Sequence, residues 1–177
     1  LFRSVPMEPE AGDVDPGPNV LLADAPREEL QQRIRWALER VPGVVGINNH
    51  MGSRFTANRA AMDTLMAELG RRGLLFLDSM TTGRSVGKAA SKAAGVPYLA
   101  RDVFLDNEPD VAAVRARLRE LEAVARKDGS AIAIAHPKAG TVQALQEWLP
   151  TMEERGLVLV PLTALVVKPA AIAVRTQ

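Results

Sequence analysis

Short apolar runs that end in polar residues alternate with amphipathic stretches, and this alternation constrains the fold more than any other feature of the chain. Residues 44–47, 74–77, 131–135 and 157–160 are near-continuous apolar segments of strand length, with residues 1–5 and 98–100 as further strand candidates. Between them lie helical patterns. Leu30, Ile34, Ala37, Leu38 and Val41 make one apolar face, with Asp24 placed to cap it and Pro26 in its first turn. Thr56 is expected to cap a helix carrying Met62, Leu65, Met66 and Leu69, and residues 85–94 form a small-residue helix. Pro109 opens the longest helix, with Val111, Val114, Leu118, Leu121 and Val124 on one face, and Thr141 starts another with Val142, Leu145, Leu149 and Met152. Residues 8–24 and 48–54 are expected as loops, and residues 162–177 fit no pattern. Strands alternating with helices imply βα units and a parallel sheet, so the fold class is α/β. Runs apolar on both faces agree, because parallel strands are covered on both sides.

The 177 residues suit one domain, with a core large enough to need no staples. Opposite charges nearly balance, 22 basic against 21 acidic, and no basic stripe marks a nucleic-acid partner. No apolar run is long enough to span a bilayer. The chain has no cysteine, which excludes disulfides and thiolate zinc sites. Aromatics are 4%, too few for a stacked sugar platform. The chain opens at Leu1 and carries no signal peptide, so further sequence is expected upstream.

In parallel α/β folds, ligands bind at the carboxyl ends of the strands. Both histidines, His50 and His136, fall at expected strand ends, as do Asp78, Ser79, Asp102 and Asp106. Imidazole and carboxylate are the usual ligands of catalytic zinc, which activates water for amide or ester hydrolysis. Asp78 suits a ligand, a base or a turn cap; Asp102 suits catalysis or an ion pair with Arg101. The segment Asn48, Asn49, Gly52 and Ser53 suits substrate binding or a capped turn. No H-E-x-x-H, phosphate loop or G-x-S-x-G elbow occurs.

The segments Pro6-Met7-Glu8-Pro9, Asn48-Asn49-His50-Met51-Gly52-Ser53, Leu77-Asp78-Ser79-Met80-Thr81, Arg101-Asp102-Val103-Phe104-Leu105-Asp106 and Ala135-His136-Pro137 resemble, in order and spacing, the divergent polysaccharide deacetylase family. The resemblance implies a deformed (β/α) barrel and a divalent metal, commonly zinc, in a bacterial protein outside the cytoplasm. It implies a metal-dependent hydrolase that removes acetyl groups from cell-envelope carbohydrate, a polysaccharide or a peptidoglycan-like substrate. His50 and His136 are then the metal ligands, His136 also serving as acid. Asp78 and Asp102 join the catalytic set, and Glu8, Asn48, Asn49 and Ser53 contact substrate. Two departures stand out. The family's Asp-Asp pair on the first strand is absent, so the expectation is a single domain over 1–177 whose N-terminal strand lies upstream. The H-x-x-x-H pair of ordinary polysaccharide deacetylases is also absent, with Arg54 four residues after His50. That absence keeps open a non-catalytic envelope domain that binds glycan or protein on the same fold. A different metal hydrolase on the same scaffold is a further alternative.

Overall fold

The structure is a computed structural model and describes residues 1–166. The chain forms two compact units: residues 1–102 with 132–134, and residues 103–131 with the chain from Ala135 onward.

The first unit is built on a four-stranded parallel sheet in sequential order. Its strands are β1 (Phe2–Met7), β2 (Gly46–Met51), β3 (Leu75–Asp78) and β4 (Tyr98–Ala100). The register runs Phe2↔Gly46 to Met7↔Met51, Gly46↔Leu75 to Asn48↔Leu77, and Phe76↔Tyr98 to Asp78↔Ala100. Pro6, which has no N–H to give, is tolerated because β1 is an edge strand. Gly46 is required where β2 meets β3: a Cβ there would lie 2.6 Å from both the Leu75 carbonyl oxygen and its side chain.

Helix α1 (Arg27–Glu39) buries Leu30, Ile34, Ala37 and Leu38, and Glu28 and Glu29 in its first turn favour the helix dipole. A short helix α2 (Ser53–Ala57) leads into α3 (Arg59–Arg71), which packs between α1 and α4 (Gly87–Ala94). Val5, Met7, Leu30, Ile34, Ile47, Phe55, Met62, Leu65, Met66, Leu69 and Phe76 form the core. Glu68 is buried on α3, and burial pushes its carboxyl up. Hydrogen bonds from Arg35 and Arg71, with their positive charges, outweigh this and hold it below the usual carboxylate range.

The second unit contains β5 (Val103–Phe104), α5 (Val111–Asp128) and α6 (Ala139–Trp148), while β6 (Ala133–Ile134) belongs to the first. Asp110 caps α5 by accepting from the Ala113 N–H. Helices α5 and α6 pack together over Val114, Leu118 and Ala144. Their outer faces are joined by Arg115–Glu147, and Glu122 accepts from Trp148 Nε1 and Arg155.

The α/β alternation stands as read, and the structure moves several boundaries. Residues 48–51 are strand rather than loop, because β2 continues its ladder with β1 through His50 and Met51. Asp24 does not cap α1; it is drawn into an ion pair with Arg54. Thr56 lies inside α2, and Asn58 caps α3. Of residues 131–135 only 133–134 are strand, since the Ile132 N–H bonds the Asp102 carboxylate at 2.7 Å instead of a neighbouring strand. Residues 157–160 form no strand, and Val158 and Leu159 are 80% and 68% exposed. Apolar composition alone makes no strand without a neighbour to complete its ladder. Of the unpatterned tail, Leu162–Leu165 is a 3-10 turn and residues 167–177 lie outside the described residues.

Candidate functional site

Because β1 to β4 are parallel, their carboxyl ends share one edge of the sheet. Glu8, His50, Asp78 and Arg101 sit at or directly beyond those four ends. His50 is half-buried near the end of β2, paired in register with Pro6. Among the described residues its imidazole has no hydrogen-bond partner.

Asn49 is 1% exposed and its amide is engaged inside the protein. Its Oδ1 accepts from the Ser79 N–H at 2.8 Å. Its Nδ2 donates to the Met51 carbonyl at 2.7 Å and to Thr81 Oγ1 at 3.3 Å. Asn49 therefore fastens the end of β2 to the turn after β3. Asn48 is half-buried beside it and donates to Ser4 Oγ at 3.1 Å and Ser79 Oγ at 3.3 Å.

Asp78 is fully buried at the end of β3. Its Oδ1 accepts from the Met80 N–H at 2.8 Å, and its Oδ2 accepts from Ser85 Oγ at 2.6 Å and the Tyr98 hydroxyl at 3.2 Å. Burial, followed by the Asp78 charge and hydrogen bond, pushes the Tyr98 phenol well above its ordinary value, so it remains a donor. Gly87 lets the α4 amino end approach, since a Cβ there would lie 2.9 Å from Asp78 Oδ2. Arg101 donates through Nε to the Ser79 carbonyl at 2.7 Å and through Nη2 to the Met80 carbonyl at 3.0 Å. Burial lowers the Arg101 guanidinium, and the carboxylates of Asp78 and Asp102 oppose that shift. Asp102 is exposed, and its Oδ2 holds the Ile132 N–H.

These clamps hold strained backbone. Met51 and Met80 have φ of 54° and 51°, the left-handed region, which costs a non-glycine residue about 1–2 kcal/mol. Gly52 follows with φ of 89°, where it also passes within 2.7 Å of the Met7 side chain as measured from an added Cβ. Beside them, Glu8 accepts from the Ala23 N–H at 2.7 Å and pairs with Arg54, which also pairs with Asp24. Ser53 Oγ accepts from the Glu10 N–H at 2.9 Å. Glu8 and Ser53 thus anchor the loop that follows β1.

The second unit carries a separate constellation. Asp106 is fully buried, and its carboxylate accepts from the His136 N–H at 2.8 Å. Its Oδ1 lies 3.2 Å from His136 Nδ1, and Lys138 Nζ is 3.8 Å from Oδ2. Burial pushes the Asp106 carboxyl up. The hydrogen bonds from His136, with the charges of His136 and Lys138, outweigh burial and hold it below the usual carboxylate range. Phe104 meets the His136 ring edge-on at 5.6 Å. The His136 side chain is 46% exposed, so with Nδ1 held by Asp106 its Nε2 is the nitrogen left to exchange a proton.

Sequence reasoning placed Asp106 at a strand end and Arg101 as an ion-pair partner of Asp102, without their roles seen here, and left Tyr98 and Ser85 without roles. The signal for Asp106 was its place at the end of an apolar pair, and for Tyr98 its being the only tyrosine. Among the described residues, no group of three or more His, Cys, Asp or Glu side chains is placed to hold a metal ion. The described donors do not by themselves complete a metal site.

The family model for divergent polysaccharide deacetylases matches residues 2–166. The chain is 41% identical over 129 residues to the uncharacterized protein YibQ of Escherichia coli strain K12, covering 73% of this chain and 40% of that protein. It is 40% identical over 126 residues to an uncharacterized protein of Haemophilus influenzae, covering 71% of this chain and 45% of that one. The chain thus spans less than half the length of these curated relatives. The crystal structure of the uncharacterized protein ATU2773 from Agrobacterium tumefaciens C58 matches with a TM-score of 0.88 at 32% identity, over 92% of this chain and 66% of that chain.

Proposed function

This chain belongs to the divergent polysaccharide deacetylase family, and on that premise we propose that the protein hydrolyses acetyl groups from acetylated carbohydrate of the bacterial cell envelope. The observation that carries the reading is the buried Asp106 holding Nδ1 of a half-exposed His136, inside a family match covering residues 2–166. Such a pairing fixes the ring and its tautomer and stabilises the imidazolium, which suits an acid that protonates the leaving amine or alcohol. Asp106 acts through His136 and is a positioning residue.

His50 offers an unengaged imidazole at the strand-end edge. We assign it as a metal ligand, the cofactor being a divalent ion with zinc first. When bound, such an ion would supply Lewis-acid polarisation for the hydrolysis. His136 keeps one ring nitrogen available for either duty, ligand or acid. Asp78 and Asp102 remain in the catalytic set, with Asp78 acting through its hold on Tyr98 and the Met80 turn. Glu8, Asn48, Asn49 and Ser53 shape the substrate side, Asn49 by fastening the two turns. The proposed setting is outside the cytoplasm; among the described residues no helix is long and apolar enough to cross a membrane.

A second reading, a non-catalytic domain that binds envelope glycan, is favoured by one observation: no three donors gather among the described residues. Assays of the full-length protein on N- and O-acetylated glycans, across divalent metals, separate the two. Acetate release that falls at least a hundredfold in His136→Ala supports hydrolysis, since a positioned acid–base is worth roughly 10²–10⁴-fold in rate. Glycan retention without turnover supports the second reading.

A further inference from the structure

In the second unit, a cleft of about 260 Å³ lies between α5 and the later half of α6. Its floor is apolar: Leu118 of α5 and Ala144 of α6 are 1% and 0% exposed. The half-buried Trp148 belongs to the same lining. The two carboxylates of the cleft are already engaged. Glu122 accepts from Trp148 Nε1 at 2.6 Å and from Arg155 Nη1 at 2.8 Å, with Arg126 4.0 Å away. Glu147 accepts from Arg115 Nε at 3.0 Å and from Gln143 Nε2 at 3.2 Å, and these donors hold its carboxyl below the usual carboxylate range. Arg119 follows Arg115 by one helical turn and also lines the cleft. It is exposed and has no partner among the described residues. One guanidinium is thus left over beside an apolar floor, with both neighbouring acids spoken for.

We propose that this cleft docks an acidic segment of a partner protein, an apolar side chain resting on Leu118 and Ala144 against Trp148 and a neighbouring carboxylate meeting Arg119. At about 260 Å³ the cleft falls short of the roughly 300–1,000 Å³ of small-molecule sites, and suits the anchor side chain of a peptide. Tryptophan and arginine are among the residue types that contribute most at protein interfaces. Charge selects the sign of the partner, since three guanidinium groups line the cleft against two carboxylates. Residues 167–177 of this chain carry Lys168 and Arg175 and no acidic side chain, so they do not match that sign. His136 precedes α6 and the cleft lies in its later half, so the docking surface does not rest on the hydrolytic reading.

The test selects a phage-displayed random dodecapeptide library on the full-length protein and measures the recovered peptides by fluorescence anisotropy. They are expected to carry Asp or Glu close to Leu, Phe or Trp, and to bind less tightly at high salt. Arg119→Ala is expected to weaken them about fivefold, the upper end for an exposed ion pair, and Arg119→Lys to restore most of the loss. Arg117→Ala removes the same charge from α5 outside the cleft, where Arg117 pairs with Glu120, and is expected to leave affinity unchanged. Both arginines are exposed, so the variants keep the fold. Recovered peptides with no acidic excess overturn the proposal. Equal affinity for wild type and Arg119→Ala also overturns it, by making these arginines a solvated helix face. Equal losses in Arg119→Ala and Arg117→Ala overturn it by reducing the effect to net charge. Self-association read by sedimentation velocity and abolished in Arg119→Ala overturns it by making a second copy of the chain the occupant.

Discussion

Replacing Asn49 by Ala removes the fastening between the β2 end and the turn after β3. Three hydrogen bonds disappear, at 2.7, 2.8 and 3.3 Å. Their partners are not equally affected. The Met51 carbonyl keeps its bond from Thr81 Oγ1, and the Thr81 hydroxyl is exposed to water. The Ser79 N–H has no second partner among the described hydrogen bonds, and Ser79 is 8% exposed. A buried donor left without an acceptor costs about 1–3 kcal/mol, and the void left by the amide adds roughly 1 kcal/mol. The expected loss is therefore about 2–4 kcal/mol, read as a lower urea midpoint at unchanged slope. Asn49→Asp is the informative partner: it keeps the acceptor for Ser79 but turns a carboxylate oxygen towards the Met51 carbonyl. It should be destabilised as well, and most so at neutral pH where the carboxyl is charged. A loss below about 0.5 kcal/mol for Asn49→Ala, the range of neutral surface changes, would refute the reasoning.

Gly46→Ala should lower stability by about 1–3 kcal/mol, because the new Cβ meets the Leu75 backbone oxygen, which cannot swing away; thermal unfolding checks this. Asp106 is held below its unfolded carboxyl value, so its contribution is present above the unfolded pKa and is lost as pH falls through the folded one. Asp106→Asn should accordingly flatten the acid limb of a stability–pH curve, and an unchanged limb would contradict the assignment. Glu68→Ala should be more destabilising than Glu147→Ala by equilibrium unfolding. Glu68 is 2% exposed and joins two helices through Arg35 and Arg71, whereas Glu147 pairs on the surface.

The parallel α/β alternation was legible because buried parallel strands read as apolar runs, and β3 and the helical faces of α1, α3 and α5 follow that pattern. The end of β2 was not legible, since Asn48, Asn49 and His50 are polar and only the ladder with β1 makes them strand. Residues 157–160 misled in the opposite sense, having strand composition and no partner. The strand-end placement of His50 and Asp78 followed from topology. The internal engagement of Asn49 and the role of Asp106 did not, because both depend on side chains about 30 residues apart in sequence meeting in the fold. Asp24 shows the same limit: a good cap by type, taken instead by an arginine 30 residues away.

Acetate release from acetylated envelope glycan by the full-length protein, purified without chelator and with its metal content counted alongside, tests the central claim most directly. The account predicts release that tracks about one zinc per chain, as expected of a single catalytic ion, and that is lost in both His50→Ala and His136→Ala. Release unchanged in His50→Ala, with metal content also unchanged, would contradict the site assignment. No release with any divalent metal, while the glycan is still bound, would contradict hydrolysis itself.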